Sequence, residues 1–567
     1  MEHADRPQVF FTYEWALAVQ RAYRATLLPL LFLAYDANES LRGVAALATD
    51  ASGKRVSFLC ATTGDYCDFL SLPDERSAFV GAVFAELRRL GIGEVALANL
   101  PSDSGMARAI QRAAREHDYH YFARTGYVCA QVSFDSLDRN SGQKPEIPRR
   151  KMIRRFLKAM AQEGPVRLDH VRSWSAIQPL LPQLMQAHIA RFLFTGRISN
   201  MARAERRMFL EELAELLSES GWLTLSRLMS GDKSLAWNYG FQFHGTWFWY
   251  QPTFDSDLEK FSPGFCMLAQ LIDEAASNAA INVVDLGLGA EAYKDRFANQ
   301  TRETLYVTLR DSRVAHLGEM LRYRATRLIQ ASPRIETEVR AVVGRAQKVR
   351  RQFATQGLGS SVAWLRRRFG ELFWSQMEVF FYEWDGSLVA ELGEVRLQRL
   401  DLNCLADATS QYAGDEETLS YLLRSAKRLH GQDAEGYALV GAAGKYLHFA
   451  WTTAFDGFFL SELNAKVDAP SPGCVMLFDC WTPPPLRGRG YYGSAIGRIA
   501  ANVDASGKRP WIFSAATNVS SVRGLEKTQF QRRYSLVRKT VLGWQRIKGG
   551  RPLRNEATAE PVSPHLT

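Results

Sequence analysis

Cys474-Val-Met-Leu-Phe-Asp-Cys-Trp481 is an unbroken strand-like run, and past Pro483-Pro484-Pro485-Leu486 it leads into Arg487-Gly488-Arg489-Gly490-Tyr491-Tyr492-Gly493, which opens a helix. A strand, a glycine loop and a helix in that order predict an α/β unit. Glycines let the backbone turn several N–H groups toward one point, and the helix adds its positive end. Such a loop can hold a phosphate or pyrophosphate, and Arg487 and Arg489 strengthen that preference. The plainer alternative is a glycine turn between strand and helix.

The residues downstream favour the anion-binding reading. A strand at Trp511–Ala516 leads to Asn518-Val-Ser-Ser-Val-Arg-Gly-Leu-Glu-Lys-Thr-Gln-Phe530, a short helix that ends at an aromatic of the buried type. Together with the arginine-glycine loop, this pattern resembles the acetyl-CoA-binding core of the GNAT acetyltransferases over residues 377–547. The resemblance implies that the amides of residues 487–493, with Asn518 nearby, hold the pyrophosphate of an acyl-CoA, and that the donor lies between two splayed strands. Three positions depart from the family pattern: Tyr492 replaces a Gly or Ala, Leu525 stands near a frequent tyrosine acid, and Gln529 replaces a Gly. Cofactor binding is therefore better supported here than catalysis. Asp479, on the strand before the loop, is the candidate base, with a capping or surface carboxylate as the alternative.

A second, dispersed set lies in the middle of the chain: His188-x-x-Arg191, Leu235-Ala236, Tyr250, Asp255, Ser262-Pro263-Gly264, and Asp285-Leu-Gly-Leu-Gly-Ala-Glu291-Ala-Tyr-Lys294. Ser262 suits an N-cap and Pro263 a first helical residue, while Phe265, Leu268, Leu271, Ile272 and Ala275 form one apolar face. The order of these motifs resembles the CelD-type acetyltransferases of bacterial cellulose and exopolysaccharide synthesis, themselves similar to FemAB-type transferases built from paired GNAT-like halves. The likeness extends over residues 8–310 through Phe11-x-x-x-Trp15, Gly43–Leu47, Asp65-Tyr-Cys-Asp-Phe69 and Leu100-Pro-Ser-Asp-Ser104. It implies that residues 1–140 form a supporting GNAT-like half and residues 141–312 the functional one. Acyl transfer needs a base and oxyanion donors, so His188, Asp255 and Glu291 are candidate bases and Lys294 a candidate anion partner. The start of the helix at Ser262, Pro263 and Gly264 is a second candidate cofactor contact. Taken singly, His188 also reads as a core histidine, and Glu291 with Lys294 as a surface pair. Gly287-x-Gly289-x-x-Ala292 mimics a dinucleotide fingerprint, but it comes late in its domain and leaves only a short helix before the next strand.

The whole chain supports this division. Its 567 residues predict three or four domains at roughly 150 residues each, which rules out a single small module. Hydrophobic residues at 46% and charged residues at 23% match soluble globular proteins and exclude a disordered or fibrous polymer. The net charge of +10 is concentrated between Arg310 and Arg368, where 14 basic residues face 4 acidic ones. A general polyanion-binding surface is thus not expected. Residues 313–376 read as a basic helical connector, and residues 310–368 as a candidate surface for polysaccharide synthase machinery or an anionic membrane, with few aromatics to stack on nucleic-acid bases.

Seven cysteines without a CxxC pair suggest neither disulfides nor a metal site, and a reducing compartment fits them. No apolar run reaches the roughly 18 residues that span a bilayer. The expected location is the cytoplasm, with a peripheral place on the inner membrane left open, and residues 548–567 read as a disordered tail. The expected fold is mixed α/β, with several GNAT-like sheets flanked by helices. The expected activity is acyl-CoA-dependent N- or O-acylation of a small-molecule or saccharide acceptor, without a metal and without a nucleic-acid partner. Two alternatives stay open: a catalytically inactive CoA-binding partner of a polysaccharide synthase, and a FemAB-like transferase using aminoacyl-tRNA.

Overall fold

The computed structural model describes residues 5–139, 143, 145–289, 291–330, 374–386, 394–431, 433–541 and 544–549. The chain divides into two compact units, one from residues 1–191 and 200–331, the other from 192–199 and 332–567. Both are mixed α/β.

Among the described residues the first unit holds twelve strands: β1 (Leu28–Tyr35), β2 (Leu41–Thr49), β3 (Arg55–Phe58), β4 (Leu70–Ser71), β5 (Glu94–Pro101), β6 (His120–Ser133), β7 (Val166–Val171), β8 (Leu223–Ser230), β9 (Lys233–Phe243), β10 (Thr246–Phe254), β11 (Val283–Asp285) and β12 (Gln300–Arg310). They make one sheet in the order β1-β2-β3-β5-β12-β6-β11-β10-β9-β8-β7, with β4 on β2. The last strand therefore returns to lie between β5 and β6, two strands of the chain's first 140 residues, and the two halves share one continuous ladder. Each half contains one parallel pair: β3 with β5, across the helix Arg76–Arg89, and β10 with β11, across the helix Pro263–Ser277. Each parallel pairing spans three register positions. Beyond them β5 runs on to Pro101 and β10 to Phe254, so each half opens a wedge.

Packing explains the middle of the sheet. Leu225, Phe241, Trp247 and Phe248 are all at most 2% exposed, as expected of strands covered on both faces. Helix Pro263–Ser277 lays Leu268, Leu271 and Ile272 into the cluster that holds Trp247, Val284 and Leu286, each such side chain contributing roughly 1.5–3 kcal/mol by burial. Pro263 opens that helix as expected. Ser262 does not cap it: its φ of 48° is left-handed, and its hydroxyl makes no capping bond. The expectation of a side-chain cap is corrected on that geometry.

The second unit has β13 (Trp374–Trp384), β14 (Arg396–Arg399), β15 (Glu435–Val440), β16 (Tyr446–Ala454), β17 (Phe458–Leu460), β18 (Ala465–Val467), β19 (Cys474–Trp481), β20 (Arg509–Ala515), β21 (Phe530–Val541) and β22 (Trp544–Gly549). Eight of them form a sheet in the order β14-β15-β16-β19-β20-β13-β21-β22, and β17 pairs with β18. Successive residues of β19 serve opposite faces. Leu477 packs with Ile496, Ile499 and Ile512 beneath the crossover helix Tyr491–Ala505, while Met476 packs with Phe381, Phe455 and Trp511. The basic connector begins as the helix Arg313–Gln330. Residues 331–373 of that connector, and the tail from residue 550, lie outside the described residues, while Lys548 and Gly549 belong to β22. Among the described residues no helix is long and apolar enough to cross a membrane.

Candidate active-site clefts

In the second unit the parallel pairing of β19 with β20 ends at Leu477↔Ile512. Past that point the strands part, and a cleft of about 900 Å³ opens. Residues 486–494, Asn518, Arg523 and Lys527 line it, so the arginine-glycine loop and Asn518 are brought together as expected. Gly488 and Gly490 have φ of 78° and 82°, a conformation costly for residues with a Cβ. Gly490 is the N-cap of the helix Tyr491–Ala505, and no side chain caps that end. The first bond of that helix runs from the Ser494 N–H to the Gly490 carbonyl, so the N–H groups of Tyr491, Tyr492 and Gly493 precede it and lie at the positive end of the dipole.

The two arginines of the loop differ. Arg487 donates from Nε to the Thr482 carbonyl at 3.1 Å, lies over the Trp481 ring at 5.0 Å and approaches Glu417 at 3.7 Å. Arg489 is exposed on the cleft, as are Arg523 and Lys527. Asn518 caps the helix Val519–Leu525, its Oδ1 accepting from the Ser521 N–H at 3.2 Å and from the Ser520 hydroxyl at 2.9 Å. Tyr492 faces inward, its hydroxyl 3.2 Å from that of Ser521. Leu525 is fully buried, so the position near the family's tyrosine acid is part of the core.

Asp479 lines the cleft on a β-bulge. Phe449 faces Trp481 and Trp451 faces Phe478, so Asp479 and Cys480 oppose Ala450 alone. Asp479 adopts φ 47°, and its carboxylate accepts from Arg428 at 2.6 Å. Arg428 also stacks over Trp451 and Phe478, at 4.9 and 5.0 Å. The candidate base is thus tied into an ion pair.

A residue that the sequence reading did not single out stands opposite. His448 on β16 is 1% exposed and lines the cleft. Its Nδ1 lies 2.7 Å from the Thr482 hydroxyl, while Nε2 has no hydrogen-bond partner. Burial drives its pKa down to about 3, which keeps the ring neutral. Ser494, also buried on the cleft wall, has an unpartnered hydroxyl. Unsatisfied buried polar atoms cost about 1–3 kcal/mol each.

The central candidates of the first unit scatter. His188 is 4% exposed on the helix Leu181–Phe194. Asp255 caps a 3₁₀ turn by accepting from the Asp257 N–H at 3.0 Å, and it pairs with Lys233 at 3.4 Å. The tip at Ser262, Pro263 and Gly264 follows that turn, which carries Asp257 and Glu259 early and Lys260 in its last turn. Pro263 is buried, and the Cβ position of Gly264 lies 3.3 Å from the Phe254 ring. Lys294 is buried, donates to the Leu288 carbonyl at 2.9 Å and pairs with the exposed Glu291 at 3.2 Å, which braces the loop after β11.

What the first unit does bring together is a cavity of about 590 Å³ where both wedges open. Residues 61–65 beyond β3 and Ala98 and Asn99 of β5 supply one side, and Tyr250 and Gln251 of β10 with Leu288 supply another. Arg124, Tyr127, Arg206 and Tyr306 complete its polar wall. Arg206 is 4% exposed and donates from Nη2 to the Tyr250 hydroxyl at 2.8 Å, and Tyr250 in turn donates to the Thr63 carbonyl. Burial, with the neighbouring charge of Asp285, pushes Asp65 up to about 7. Asp285 is held by the Tyr66 hydroxyl, Gln131 Nε2 and the Gly287 N–H, all within 2.8 Å.

Comparison with known proteins bears on this unit. Residues 148–295 match the family model of an acetyltransferase (GNAT) domain. None of the curated proteins matches the chain. Similar solved structures include FemX, at 9% identity over 54% of this chain and 94% of that one with a TM-score of 0.38. The L-PGS from Bacillus licheniformis is 11% identical over 54% of this chain and 95% of its own, TM-score 0.35. A tandem GNAT protein from the clavulanic acid biosynthesis pathway is 9% identical over 51% and 86%, TM-score 0.28. The matched domain reaches from the helix Arg150–Met160 through β11 to Lys294.

Proposed function

We propose that this chain is an acyltransferase whose second unit takes an acyl-CoA in the cleft between β19 and β20 and passes the acyl group to an amine or hydroxyl. The observation that carries the reading is the uncapped helix start behind Gly488 and Gly490, joined to a cleft with exposed Arg489, Arg523 and Lys527. Main-chain donors at a helix start and arginine side chains are what a diphosphate requires. The unpartnered Ser494 hydroxyl and His448 Nε2 further inside fit the polar body of the same donor and the acceptor's N–H or O–H. With its pKa driven so low, His448 is suited to orienting that group by a hydrogen bond rather than to storing its proton. An envelope or exopolysaccharide setting follows from the CelD resemblance alone.

Calorimetric titration with acetyl-CoA, joined to release of free CoA thiol, tests this. Arg489→Ala and Gly490→Trp should each weaken acetyl-CoA by tenfold or more. His448→Ala should keep the affinity and lose turnover. An affinity indifferent to Gly490→Trp would move the donor elsewhere.

For the GNAT domain at residues 148–295 a second reading is at least as well supported: transfer of an aminoacyl group, as in FemAB-type enzymes that draw on aminoacyl-tRNA. The specific observation is the 3₁₀ turn before Pro263, which carries Asp257 and Glu259 with Lys260 as its one basic residue, where an arginine-glycine loop would stand if a diphosphate were held there. The chemistry proposed for the chain is therefore acyl transfer in the broad sense, aminoacyl groups included.

A further inference from the structure

We propose that the helix Arg313–Gln330 docks the first unit on an anionic membrane surface. Contacts settle which side of it faces the sheet: the Tyr323 ring meets Phe122 at 5.4 Å with Arg124 over it at 5.8 Å, the His316 ring meets His120 at 5.6 Å, and Glu319 accepts from Arg310 at 3.1 Å. The opposite side is apolar and exposed. Val314, Leu317, Leu321 and Leu328 recur at the spacing of one helix face, and they are 80%, 56%, 65% and 73% exposed. A lone exposed leucine needs no account, but four apolar side chains aligned on one face mark a contact surface.

Charge identifies the occupant. Arg313, Arg322, Arg324 and Arg327 are the exposed charged side chains of the helix, and at about 100° per residue Arg313 and Arg324 border the stripe on one side and Arg322 on the other. Glu319 is the one acid of the helix and is held by Arg310, while the exposed Asp311 precedes it. A second copy of the helix would set arginine against arginine, and Arg324 would interrupt the apolar seam between Leu321 and Leu328 that a helix pair requires. An anionic bilayer meets both conditions. The apolar side chains enter the headgroup boundary, and the arginines reach the lipid phosphates beside them. With four arginines along it and one apolar face, the helix suits the plane of the surface rather than a path across the bilayer.

The test is sedimentation of the full chain with vesicles of phosphatidylcholine alone and of phosphatidylcholine with phosphatidylglycerol. It contains no acyl donor, so its outcome is independent of the acyl-CoA reading. The partition coefficient should be at least tenfold larger on the vesicles that contain phosphatidylglycerol, and it should fall when salt is raised from about 0.1 M to about 0.5 M, because screening shortens the reach of the charges. Leu317→Gln combined with Leu321→Gln, at exposed positions where glutamine keeps the helix propensity, should lower it by tenfold or more. Arg322→Glu combined with Arg324→Glu should do the same. No binding to the anionic vesicles, equal partition onto both kinds, or indifference to either pair of substitutions would overturn the proposal. So would a dimer in vesicle-free buffer that the leucine pair dissociates, which would give the stripe to a second copy.

Discussion

The imidazole of His448 stands edge-on to the phenol of Tyr492, with ring centroids 5.8 Å apart and planes at 62°. Tyr492 in turn fills the space beside Gly524, where an added Cβ would come within 2.8 Å of its Cδ1. The tyrosine that replaces a small residue of the GNAT pattern thus joins the loop helix to the helix Val519–Leu525 and forms a wall of the cleft.

That relationship fixes a sign. In an open helix Gly→Ala gains about 1 kcal/mol. Here Gly524→Ala should instead destabilise by about 1–3 kcal/mol, because the ring cannot retreat without disturbing His448. In a Tyr492→Ala background the same change should become neutral or stabilising. Urea denaturation of the four chains measures this, and additive effects would mean that the ring moves freely.

His448 also predicts acid sensitivity. Its folded pKa of about 3 lies below the ordinary 6.5 because burial disfavours the charged ring. The unfolded chain therefore binds a proton that the folded chain refuses, and stability falls as pH drops below 6.5. Between neutral pH and pH 5 this one group should cost about 2 kcal/mol. His448→Phe should remove that part of the pH dependence of the melting midpoint. If the slope between pH 5 and 7 is the same in both chains, the ring is reachable by protons in the folded state.

Legibility in the sequence followed how locally each feature is encoded. The β19 run and its arginine-glycine loop are contiguous, so strand, turn and helix were all readable from Cys474 to Gly493, and the structure places them as one cleft wall. His448 was not readable, because it sits in an apolar strand where a lone histidine resembles core. The cavity of the first unit is built from residues 61–65, 98–99, 124, 126–127, 200, 206, 250–251, 288 and 306. No spacing rule joins positions that only the return of β12 between β5 and β6 brings together. Ser262 failed as a cap for a conformational reason: its left-handed φ turns the hydroxyl away from the helix amides that propensity assumes it meets.

Asp65 predicts a dependence of the opposite sign. Its folded pKa of about 7 stands well above the ordinary carboxylate value of 3.8, from burial and then from Asp285. The folded chain keeps a proton that the unfolded chain has lost, so this group's contribution to stability declines as pH rises from about 4 through 7 and is flat above. Asp68, likewise raised to about 7 by burial, acts in the same direction. Relative to the unmodified chain, Asp65→Asn should therefore be more stabilising at pH 8 than at pH 5. Melting curves at the two values check it, and an equal offset at both would show that Asp65 is already ionised at pH 5.

The role of Asp479 can be separated in the same way. As a general base it would contribute roughly 10²–10⁴-fold to turnover. Its carboxylate is instead held by Arg428, which is packed over Trp451 and Phe478, and its own backbone forms the bulge of β19 opposite Ala450 of β16. Asp479→Asn should therefore lower stability by about 1 kcal/mol, the worth of a half-exposed pair, and change the kcat for CoA-thiol release by no more than a few-fold. Arg428→Met should give the same stability loss without a further kinetic effect, because it breaks the same pair from the other side. A hundredfold fall in kcat with Asp479→Asn, set against an active Arg428→Met, would return Asp479 to the chemistry and leave the ion pair as its resting partner.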